Sequence, residues 1–166
     1  MRVPPAEWSP QSNTFRHLSS VAHVKSVGLY EVLAAGPRNA MALYDIRFLQ
    51  RSHQPTHRNN NRWTGNTTRP LLTFPSYRNT AHIHTGLDVL LEPGYGSRGV
   101  VAAAHDDETV GLYSLRDGTR LPGGAVDSIK AGAVVRSMMW ASLPGDRHPS
   151  LFVGEGSLVR KYSFWA

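Results

Sequence analysis

The 166-residue sequence predicts an all-β protein of about three four-stranded antiparallel units, the last of them short of its outermost strand. Three observations carry this expectation. Short runs rich in β-branched, aromatic and small apolar residues alternate with clusters of Gly, Pro, Asn and Asp, the punctuation of strands and turns. No stretch of about 11 residues keeps apolar side chains at helical spacing. A small-residue run followed by an aromatic recurs three times along the chain.

The elements follow in order. Ser20 to Val27, Tyr30 to Ala35 and Ala40 to Phe48 read as three strands, separated by Gly28 and by Gly36-Pro37-Arg38-Asn39. Leu71 to Phe74 makes a fourth. Asn79 to Leu91 opens a second unit, which continues through Gly99 to Ala104, the turn His105-Asp106-Asp107-Glu108, and Thr109 to Leu115. Asp117-Gly118 then closes a hairpin onto Thr119 to Leu121, since Asp-Gly suits the positive φ of a tight turn. A third unit runs through Val134 to Ala141, Ser150 to Gly154 and Leu158 to Phe164, with Pro144-Gly145-Asp146 and Glu155-Gly156 at its turns.

The repeat decides how these units are arranged. Ala34-Ala35-Gly36 leads to Tyr44-Asp45-Ile46-Arg47, Ala102-Ala103-Ala104 to Tyr113-Ser114-Leu115-Arg116, and Phe152-Val153-Gly154 to Tyr162-Ser163-Phe164. The small residue and the aromatic stand 8, 9 and 8 residues apart in the three copies. Small residues let strands approach near a crowded axis, and an aromatic on the following strand covers the contact between units, as in the blades of a β-propeller.

Tyr44-Asp45-Ile46-Arg47 and Tyr113-Ser114-Leu115-Arg116 resemble the Trp-Asp signatures that end the third strand of WD40 blades, with Tyr in place of Trp. The resemblance runs from about Leu18 to the C-terminus and implies a partial WD40-type propeller. It divides the chain into a leader or linker at 1–17 and blades at about 18–78, 79–127 and 128–166, with a polar insertion at 50–69. The family's Gly-His element is missing before the first strands. The tyrosine spacings, 69 and 49 residues, exceed the usual period of roughly 40 to 45, the insertion accounting for the first excess. A partial propeller has open edges, which implies either a piece of a longer product or closure by self-association.

Within the WD40 family the second half is similar to the C-terminal blades of the type 4-like DDB-and-cullin-associated factors. The resemblance rests on the order of Ala81-His82-Ile83-His84, Val100 to Ala104, Tyr113-Ser114-Leu115, Val135 to Ala141 and Val153-Gly154-Glu155-Gly156 before Tyr162. Such proteins are substrate receptors that dock on the adaptor of cullin-RING ubiquitin ligases through Trp-Asp-x-Arg motifs. Tyr44-Asp45-Ile46-Arg47 matches that motif after its first position. The resemblance therefore implies a non-enzymatic interaction scaffold whose partner-binding residues are Asp45 and Arg47, followed by Arg116, where Ser114 replaces the acid. A guanidinium suits the role because its fixed fork of donors grips carboxylates or carbonyls in pairs.

Charge and composition restrict the alternatives. The net charge is +6, and most of it sits in Gln50 to Arg69, where Arg51, Arg58, Arg62 and Arg69 have no acidic neighbour in the segment. That segment, with Trp63, could bind RNA through charge and base stacking, the second function expected of this chain. There are no cysteines, which removes disulfides, thiolate zinc sites and thiol nucleophiles together. No run approaches the roughly 18 apolar residues of a membrane span, so no membrane partner is expected, and the nucleus or cytoplasm is the expected location. His82 and His84, read as sharing one strand face, lack a third ligand for a metal. His105 with Asp106, Asp107 and Glu108 reads as a hydrogen-bonded turn, not an acid-base centre. Ser19, Ser20, Ser97 and Ser114 lack the setting of a nucleophile. No catalytic residue, cofactor or metal is expected.

Overall fold

A computed structural model describes residues 21–48, 70–91 and 99–164. The leader at 1–17 and the insertion at 50–69 lie outside the described residues. The described chain is all-β, in three antiparallel sheets, each a meander in which sequence neighbours pair. The first sheet holds β1 (His23–Ser26), β2 (Glu31–Gly36), β3 (Ala40–Asp45) and β4 (Leu72–Thr73). The second holds β5 (Leu87–Leu90), β6 (Val100–Ala104), β7 (Val110–Ser114) and β8 (Arg120–Leu121). The third holds β9 (Met138–Ala141), β10 (Ser150–Glu155) and β11 (Leu158–Tyr162), without a fourth strand among the described residues.

Several strands are shorter than the sequence suggests. The expected strand at Ala40 to Phe48 stops at Asp45, and Ile46–Phe48 form a 3-10 turn. The Ile46 amide still donates to the Tyr30 carbonyl in register with the ladder, and the chain then turns because the Asp45 carboxylate accepts the Arg47 amide at 2.9 Å. Tyr30 itself belongs to the bend before β2. Of Asn79 to Leu91 only Leu87–Leu90 is strand, because the buried Asn79 holds the chain in a local loop. Its Nδ2 donates to the His82 carbonyl, and its Oδ1 accepts from the His82 amide. A second 3-10 turn, Gly124–Ser128, has no counterpart in the sequence expectations. It is fixed by Asp127, whose carboxylate accepts the Gly123 amide at 2.7 Å.

Alternation along the strands builds two cores. Leu33, Ala35, Met41 and Leu43 of the first sheet face Leu87, Val101, Ala103 and Tyr113 of the second, with Phe74 and Tyr77 at the margin. The other face of the second sheet, with Ala102, Ala104, Val110 and Leu112, meets Leu151 and Val153 of the third. The middle sheet is thus covered on both sides, and Val101 to Ala104 are fully buried. A run of small residues is needed there, since larger ones on both faces would hold the neighbouring sheets apart. Each fully buried Leu or Val contributes about 1.5–3 kcal/mol relative to exposure.

One relation between sheets repeats. Tyr113 faces the first sheet and Tyr162 packs against the core shared with the second, so each looks back toward the preceding sheet. Tyr44 occupies the same place in the register, opposite Val32 as Tyr113 is opposite Val101, and lies on the face turned away from the second sheet. The opening strands of successive sheets also adjoin, β1 beside β5 and β5 beside β9. Asp88 on β5 joins all three: one carboxylate oxygen binds Lys25 Nζ at 3.0 Å and the other accepts the Trp140 amide at 2.7 Å.

Candidate docking site

The end of β3 presents the most organised exposed cation among the described residues. Asp45 is the last strand residue, and its carboxylate turns to accept the Arg47 backbone amide at 2.9 Å. The same carboxylate takes Arg47 Nε at 3.0 Å and Nη2 at 2.5 Å, a paired grip that matches the planar fork. Arg47 also lies over the Tyr30 ring, its guanidinium carbon 4.9 Å from the centroid. Asp45 is 6% exposed in its side chain and Arg47 57%, so a buried anion holds an accessible cation in one pose.

Electrostatics follow that geometry. The hydrogen bond from Arg47 holds the Asp45 carboxyl below its ordinary range, and Asp45 raises the guanidinium in turn. Both groups stay charged throughout the physiological range. Around them the chain exposes large apolar side chains: Leu29 (82%), Tyr30 (44%) and Ile46 (39%). The Ile46 amide bond to the Tyr30 carbonyl, 2.8 Å, brings this loop and the end of β3 together. Tyr and Arg are the residues most enriched where interfaces concentrate binding energy. The sequence marks Asp45 and Arg47; Leu29 and Tyr30 escape it because nothing in linear spacing says that the β1–β2 loop reaches the end of β3.

Arg116 occupies the corresponding position of the second sheet. The Leu115 amide donates to the Gly99 carbonyl at 3.0 Å, as Ile46 does to Tyr30, and the Arg116 amide donates to Ser114 Oγ at 3.1 Å. Serine reproduces the turn, but it carries no charge with which to hold the guanidinium. Glycine stands where Tyr30 stands, so the stacking platform is absent too. Asp45 and Arg47 form one site, and Arg116 repeats its backbone alone.

The polar turn of the second sheet is a different construction. His105 is buried, with Nε2 2.6 Å from Tyr113 Oη and Nδ1 2.9 Å from Thr109 Oγ1. The Thr109 hydroxyl donates to Asp107, so its oxygen accepts from His105 Nδ1–H, and the single Tyr113 hydroxyl proton is shared between Nε2 at 2.6 Å and the Ser76 carbonyl at 3.2 Å. Burial is the largest influence on both rings, lowering the His105 pKa and raising that of Tyr113. With both rings closed off from solvent, this chain of bonds offers no place for a substrate and knits β6, β7 and their turn.

His82 and His84 do not share a strand face: they lie on the exposed loop before β5. Among the described residues no group of three or more His, Asp or Glu side chains could hold a metal ion. No described helix is long and apolar enough to cross a membrane. No family model, curated protein or solved structure matches the chain.

Proposed function

We propose that the chain is a non-enzymatic interaction scaffold with propeller-like stacking of its sheets, docking through the Arg47 end on the adaptor of a cullin-RING ubiquitin ligase. The observation that carries the docking role is the pose of Arg47, clamped by buried Asp45 and backed by Tyr30, with Leu29 and Ile46 exposed beside it. A preorganised guanidinium loses little freedom on binding, and an apolar rim excludes water from the bonds it makes. The repeated orientation of the tyrosines and the adjoining opening strands support a propeller-like arrangement. The choice of adaptor rests on the Tyr-Asp-Ile-Arg match to the family's docking motif.

The test is a pull-down of the purified adaptor by the whole chain and by Arg47→Ala and Arg116→Ala. Loss of about 2 kcal/mol or more with Arg47→Ala, and a smaller effect with Arg116→Ala, is the expected outcome for a central interface arginine. Equal retention by all three chains would remove Arg47 from the role. Binding of RNA in place of the adaptor would favour the other function expected from the arginine-rich insertion, which lies outside the described residues.

A further inference from the structure

At the strand ends opposite Arg116, a cleft opens between the loop before β5 and the segment before β9. It has room for about 270 Å³ and is lined by Ala81, His82, Ile83, His84, Ala133, Val134 and Arg136. The walls are fixed to one another, since the Gly86 amide donates to the Val135 carbonyl at 2.7 Å. The first wall is further braced by Asn79, which holds His82 by its backbone and accepts the Asn39 amide on its own carbonyl at 2.7 Å. Asp106 binds the Thr80 amide and hydroxyl and ties the same loop to the β6–β7 turn.

The chemistry of the lining is one-sided. Arg136, His82 and His84 supply donors, and no carboxylate lines the cleft. Asp106, which adjoins His82, is engaged with the Thr80 amide and hydroxyl. Ile83, Ala133 and Val134 add apolar surface between these donors. One guanidinium and two imidazoles around a small cleft with apolar walls suit one oxyanion-bearing side chain with an apolar neighbour.

We propose that this cleft receives a phosphorylated or carboxylate side chain of a client protein. The word client rests on the scaffold reading above; the anion site does not. In the second sheet the cleft precedes β5 while Arg116, the counterpart of Arg47, follows β7, so docking and client recognition would use opposite ends of the strands.

The experiment uses the full chain labelled with ¹⁵N and titrated with N-acetyl-O-phosphoserine amide and, separately, N-acetylglutamate amide. Saturable shifts confined to the amides of Ile83, His84, Val134 and Arg136 are expected. Arg136→Ala should weaken affinity roughly tenfold, the scale of one charge-assisted hydrogen bond, and His84→Gln should weaken it less. Arg47→Ala should leave it unchanged. Whichever probe binds more tightly identifies the source of the oxyanion. Shifts spread over every basic surface, no saturation by either probe, or unchanged affinity in Arg136→Ala would overturn the site. Adaptor pull-down failing while these shifts persist would remove only the docking reading, and the converse would remove only the cleft.

Discussion

Gly111 shows how much of the second sheet depends on one missing atom. A Cβ there would lie 2.8 Å from Tyr113 Oη and 2.9 Å from His105 Nε2, so the bond between those rings exists because the residue is glycine. Gly111→Ala is expected to destabilise the chain by about 1–3 kcal/mol, the usual range for overpacking a filled core, as read from chemical denaturation. A change within 0.5 kcal/mol would mean that the rings shift freely. The same pair gives a pH dependence. Burial lowers the pKa of His105 from 6.5, so the unfolded chain binds a proton at a pH where the folded chain does not. Stability from this group is therefore complete above pH 6.5 and declines as the pH falls below it. His23, also lowered chiefly by burial, acts in the same direction. The melting temperature should drop between about pH 7 and 5.5, and His105→Gln should drop less. Parallel curves for the two proteins would exclude His105 as the cause.

Among elements, the opening strands hold the sheets together. Asp88 is partly buried and answers Lys25 from β1 and the Trp140 amide from β9, so Asp88→Ala leaves an amide and an ammonium without their acceptor. A loss of roughly 1–3 kcal/mol is expected, with Lys25→Ala costing less because Lys25 is more exposed and is one of the two partners. Equal losses would place the whole effect in the ion pair. Nothing in the sequence singles out Asp88, because its two partners are 63 and 52 residues away. The strands themselves were legible: Val, Leu, Ala and Tyr runs between turn signals locate all eleven, because alternation and turn chemistry are local. Their ends were less so: β3 stops where the Asp45 carboxylate takes the Arg47 amide, and β5 is shortened by the Asn79 side chain holding His82, side-chain bonds that a hydrophobic pattern does not signal. The sequence marked Asp45 and Arg47 as partner-binding residues by motif but not the bond between them, and the cleft between residues 81–84 and 133–136 joins segments about fifty residues apart.

At the scale of the whole molecule, the stack is uneven. The second sheet is packed on both faces, while the third is packed on the face carrying Leu151 and Val153, and its other face carries Met139, Phe152 and Val159. Met139 is 56% and Val159 73% exposed. Amide exchange should follow this asymmetry, because opening a strand costs more free energy when both its faces are buried. Val101 to Ala104 and Val110 to Tyr113 are expected to exchange slowest, and the amides of β11 to exchange at least about tenfold faster, which corresponds to 1.4 kcal/mol in opening free energy. Val159→Lys provides the matching perturbation: a charge on an exposed apolar edge discourages edge-to-edge pairing and touches no buried contact. It should reduce aggregation in light scattering while shifting the unfolding midpoint by no more than about 0.5 kcal/mol. If β11 proves as protected as β6, or if Val159→Lys unfolds the third sheet, that face is covered in solution. The stack then continues past the third sheet through contacts that Val159 itself makes.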